Sequence, residues 1–185
     1  MDVEVPLKRR HEMGNATGSP MLILGGVGAI IWLIGAVLAV FTGSIGIIVL
    51  GIGVLLTSFA GFGLWQSTKD GLAIFMFIMA LIGGILLMVG GILAVAGVGV
   101  SIFNPLGVGI WVMGAGQALF AVSLITLGLF MNKSQFRFRA QMFGMDLTQP
   151  AMITSLAGGC AALGAAITVT APAALLLAIL FFLEK

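Results

Sequence analysis

The chain has 185 residues, 61% of them hydrophobic and 8% charged, where an ordinary soluble domain carries roughly a quarter charged. A water-soluble body of this size cannot hide that much apolar surface, and a formal charge of +2 without clustered bases excludes a face built to follow nucleic acid. One cysteine, Cys160, and one histidine, His11, allow neither an internal disulfide nor a convergent set of metal ligands, so no metal and no cofactor is expected.

Residues 1–20 form a polar tail with the bases Lys8, Arg9 and Arg10 and a turn-forming stretch ending at Pro20. The uncharged run 21–41 follows, and at about 1.5 Å per residue it covers about 31 Å, the thickness of a hydrocarbon core. It exceeds the roughly 7 to 15 apolar residues of a signal peptide, which makes it a retained signal-anchor helix. Thr42-Gly43-Ser44 turns the chain into a second span, 45–65, whose Trp65 suits the interface. Lys69 and Asp70 precede a third span, 72–96, with Asp70 placed to cap it. Asn104-Pro105 breaks the pattern before a fourth span, 106–131. In the loop 132–150, Lys133, Arg137 and Arg139 interleave with Phe136, Phe138 and Phe143, a pattern suited to lying along the membrane surface. The last apolar region, 151–183, would reach about 50 Å as one helix, too long for a bilayer. Pro172 is the natural kink, so a span at 151–170 with a bent extension to 183 is expected. The expected fold class is an all-α integral membrane helix bundle of about five transmembrane helices.

With these bounds Lys8, Arg9, Arg10, Lys69, Lys133, Arg137 and Arg139 share one side and the opposite turns carry no base. The positive-inside tendency then places the amino terminus in the cytoplasm. The acceptor patterns at Asn15 and Asn132 fall on that same side and read as chance occurrences.

The first four spans read as a duplicated helical hairpin. Gly28–Val40 laid over Gly83–Val95 matches at Gly28, Ile30, Gly35, Leu38, Ala39 and Val40; Gly46–Leu56 laid over Gly109–Leu119 matches at Gly46, Ile47, Val49, Gly51, Gly53 and Leu56. Glycines recur every seventh residue, at Gly28 and Gly35, Gly46 and Gly53, Gly83, Gly90 and Gly97, Gly84 and Gly91, Gly107 and Gly114, and Gly109 and Gly116. Two turns apart, each set forms a small-residue stripe that lets backbones approach where lipid gives helices no hydrophobic reason to associate. Packing inside the molecule and oligomer contacts both remain open, the latter because the third span carries two adjacent stripes.

Proton-coupled transport and most intramembrane catalysis need an ionisable group at depth. The five spans contain none, so the chain is not expected to be an enzyme. Ser and Thr at depth can bond their own helix carbonyls. Gln117 cannot, and its amide should seek a partner across the bundle or a cavity.

The segment from Gly83-Gly84-Ile85-Leu86 through Phe103-Asn104-Pro105-Leu106-Gly107 to Leu127, with hairpins repeating along the chain, resembles the HdeD-like small membrane proteins. The resemblance implies six spans in repeated helix pairs and a connection with acid stress; it carries over no functional residue. The leading expectation is a non-catalytic component of a membrane complex, structural, assembly-related or stress-related. Its partners would be the bilayer and other membrane protein subunits or further copies of itself. The alternative is a channel or facilitator for a small solute, with Gln117 on its lining.

Overall fold

The computed structural model describes residues 20–97, 107–132, 141–142, 145–164 and 166–183. Most of the polar tail, the surface-lying pattern at 133–140 and the break at Asn104-Pro105 fall outside them. Four helices, α1 (Pro20–Thr42), α2 (Ser44–Thr68), α3 (Gly71–Val95) and α4 (Gly107–Asn132), are long and apolar enough to cross a bilayer. They coincide with the first four expected spans to within a few residues. Pro20 opens α1, where its missing N–H costs nothing. Gly43 alone joins α1 to α2, and its φ of 57° is a left-handed turn that glycine adopts without strain. Lys69 ends α2, its N–H donating to the Trp65 carbonyl at 2.7 Å while its ammonium lies 4.6 Å from the Trp65 ring centroid. Asp70 then caps α3 by accepting the Leu72 N–H at 2.8 Å.

Beyond Pro150 the chain departs from expectation. A two-residue antiparallel ladder, β1 (Gln141–Met142) with β2 (Met145–Asp146), leads into α5 (Thr148–Leu163); a 3-10 turn (Ile167–Thr170) then leads into α6 (Ala171–Leu183). The single span at 151–170 with a kink at Pro172 is replaced by two short helices. Pro150 lies in the first turn of α5, where the N–H it lacks would have no partner, and Pro172 stands where the 3-10 turn passes into α6, so neither bends a long helix. The break comes earlier, at Gly164 and Ala166.

The directions follow from contacts. Leu156 lies against the Gly128 position of α4 and Ile125 against Gly159, so α5 runs antiparallel to α4. Thr170 reaches Trp32 in mid-α1, while Phe182 lies against Gly26 near the start of α1. The chain thus enters from the end where α1 begins, turns at mid-depth and leaves by the same end. From Gln117 to the far end of α4 and from Trp32 to the far end of α1 are ten residues each, so the turn stops about 15 Å short.

The helices pack in chain order, and α6 closes the circuit on α1. Three hairpins, α1–α2, α3–α4 and α5–α6, therefore form a ring in which the third reaches only halfway. Two hairpins alone would close α4 onto α1, and that place is taken by α5–α6.

Candidate functional site

The glycines named from the sequence divide by what lies opposite them. A Cβ at Gly28 would fall 2.4 Å from the Thr57 nitrogen, at Gly35 2.3 Å from that of Leu50, at Gly46 2.1 Å from that of Ala39 and at Gly53 2.2 Å from that of Trp32. These four hold α1 to α2 backbone to backbone. The positions that match them in the second hairpin do the same: Gly83 faces Phe120, Gly90 faces Met113, Gly109 faces Ala94 and Gly116 faces Leu87, all within 2.9 Å of a backbone nitrogen. Gly84 and Gly91 turn the other way, onto Leu55 and Ile48 of α2. Both stripes of α3 are consequently used within the molecule, which removes the spare stripe as a reason for oligomer contact. Gly107 starts α4 with φ 71°. Gly114 is different: nothing lies within 4 Å of its Cβ position, so it packs no helix.

A rule emerges from the adjacent glycine pairs. Gly25 meets Ala60 of its own hairpin and Gly26 meets Phe182 of the preceding one in the ring; Gly83 meets Phe120 and Gly84 meets Leu55; Gly158 sits by Thr170 and Gly159 meets Ile125. In each pair the first glycine faces its own hairpin and the second faces its neighbour. Gly25, Gly26, Gly51, Gly61, Gly128 and Gly159 escape a search for seven-residue spacing, although adjacent glycines were a signal for most of the ring contacts.

Two side chains hold the tip of the third hairpin. The Gln117 amide of α4 donates to the Ala162 carbonyl, one of the carbonyls left without a helix partner where α5 ends. The Trp32 indole of α1 donates to Thr170 Oγ1 at 3.0 Å, and that hydroxyl donates to the Ile167 carbonyl at 2.6 Å. Within the turn Ala161 O accepts from Gly164 and Ala166, each at 3.0 Å, and Ala166 O accepts from Val169 at 3.1 Å. Irregular backbone at membrane depth requires such closure, since lipid offers no substitute partner. Trp32 was not singled out from the sequence. Its signal is an indole in mid-span, away from the interface where tryptophan usually sits, with an N–H that burial obliges to find an acceptor.

Trp32 is fully buried and meets Phe120 edge-on, with ring centroids 4.9 Å apart and planes at 87°. Beneath this pair, toward the end where α1 begins, lies a cavity of about 20 Å³ lined by Thr57, Ser58, Ser123, Leu177 and Phe181 among others, room for about one water molecule. Its hydroxyls donate to their own helices, Thr57 to Gly53 O at 2.8 Å, Ser58 to Leu55 O at 2.7 Å and Ser123 to Phe120 O at 2.8 Å. Thr126 and Thr154 bond backward in the same way. Ser155 of α5 is fully buried, and among the described residues its hydroxyl has no hydrogen-bond partner. Gln117 does not border this cavity, and Cys160 faces outward. Among the described residues no group of three acidic, histidine or cysteine side chains converges. Set against protein-family models, curated proteins and solved structures, the chain matches none.

Proposed function

We propose that this chain is a non-catalytic, multi-pass component of a membrane complex, structural or assembly-related, with its amino terminus in the cytoplasm. The observation that carries the reading is how the polar side chains at depth are used. Gln117 and Trp32 bind one hairpin to the other two, and the hydroxyls around the cavity back-bond to their own helices. Such an interior supports a rigid body, which leaves the outer faces to make the contacts that matter. The three-hairpin ring also suits the repeated helix pairs that the resemblance to HdeD-like proteins implies, although the last two helices here are too short to span.

The protein should be purified from its native membrane in mild detergent and weighed intact. A species of fixed stoichiometry above the monomer is expected, and a lone monomer under all mild conditions would overturn the reading. The ring around a small, mostly apolar cavity bordered by Thr57, Ser58 and Ser123 is the observation behind a second reading, a facilitator of a small neutral solute. Reconstituted vesicles should then swell faster than protein-free ones under an osmotic gradient of that solute. On the assembly reading the two rates are equal.

A further inference from the structure

The sequence repeat pairs Gly51 of α2 with Gly114 of α4, yet their surroundings differ. At Gly51 a Cβ would lie 2.7 Å from the Met88 nitrogen and 3.0 Å from Gly84 O, because the first helix of the next hairpin lies in that groove. The helix owed to Gly114 is α5. It stops beside Gln117, a turn short of Gly114, and among the described residues nothing lies within 4 Å of the Gly114 Cβ position. The difference runs along the whole outer half. Over 45–55 of α2 only Ile45 and Ile52 are exposed, whereas over the matching 108–118 of α4 Val108, Ile110, Trp111, Gly114, Ala115 and Ala118 are; below them, over 119–131, only Leu129 is. Across the missing half-hairpin, Val37, Val40 and Phe41 of α1 are 49%, 65% and 80% exposed.

We propose that this half-depth groove is a binding site for one acyl chain of a phospholipid in the leaflet at the Gly43 end. The argument is one of depth and of chain ends. The groove runs about 15 Å from the hairpin tip to the end of α4, half of a roughly 30 Å hydrocarbon core, which is the reach of one leaflet. Its walls are mostly apolar, and the Gln117 amide at its foot is already bonded to Ala162. A peptide filling it would have to end or turn on the tip at mid-bilayer, where its backbone groups need partners of the kind that Gln117 and Trp32 give α5–α6, and both of those are already engaged. An acyl chain ends there in a methyl group and leaves no polar group behind.

The test uses the full chain in phosphatidylcholine vesicles doped with a phosphatidylcholine that carries a photoreactive diazirine near one tail end, with adducts mapped by mass spectrometry. Adducts are expected to concentrate on 111–118 of α4, severalfold above the lipid-facing stripe Ile23, Val27 and Ile30 of α1. Gly114→Phe, which projects into open space, should remove that excess while leaving the stripe as it was; Ala115→Phe serves as the second filling variant, and circular dichroism with gel filtration reports that each is folded. Adducts spread evenly over all exposed positions, or an excess that both folded variants retain, would overturn the proposal. So would a wild-type dimer that Gly114→Phe dissociates, since a second copy would then be the occupant.

Discussion

At the scale of single residues, glycine carries two opposite meanings in this chain, and the distance to the facing helix decides between them. At Gly53 the nearest atom to a new Cβ is a backbone nitrogen at 2.2 Å, which cannot rotate away, so the helices must part. Gly53→Ala is expected to cost about 1–3 kcal/mol or more, as overpacked cores do. At Gly114 the space is open, and Gly114→Ala should stabilise by roughly 0.5–1 kcal/mol through the helix preference of alanine. Titration of the purified protein with dodecyl sulfate, followed by circular dichroism, separates the two; equal effects would mean that the α1–α2 seam yields to accommodate the methyl. Composition and a seven-residue rhythm made both glycines legible as packing positions. What could not be read from them is that α5 stops too soon to face Gly114, because that is a property of another element.

Among the elements, the four long helices were legible because each is an uncharged run of bilayer length bounded by turn chemistry, at Gly43, at Lys69-Asp70 and at Pro105-Leu106-Gly107. The third hairpin was not, and proline is the reason. Pro172 follows the 3-10 turn Ile167–Thr170 directly and stands where that turn passes into α6, while the interruption lies earlier, among alanines and glycine around Gly164, which carry no apolar contrast. Pro172→Ala should therefore leave the unfolding midpoint nearly unmoved, within about 1 kcal/mol. Gln117→Leu, by contrast, removes the side-chain donor that ties the Ala162 carbonyl to α4 at depth and should cost about 1–3 kcal/mol. The same detergent titration reads both. A large loss with Pro172→Ala alone would show that the proline bends a continuous helix after all.

For the molecule as a whole, the returning hairpin decides where the chain ends. A fifth full span would have delivered Leu183 to the Gly43 end of the bundle. The ring instead brings it back beside the start of α1, as Phe182 against Gly26 requires, at the end that also holds Lys69. An even number of crossings and a one-sided charge then reinforce each other under the positive-inside tendency. In a Cys160→Ser background, single cysteines at Ser44, Ser67 and Leu183 can be challenged on intact cells with a membrane-impermeant maleimide. Ser44→Cys should label from outside, while Ser67→Cys and Leu183→Cys should label only after permeabilisation. Reversal of all three would invert the orientation and leave the fold untouched. Leu183→Cys labelling together with Ser44→Cys would restore a fifth span, and with it a continuous outer wall where the half-depth groove now lies.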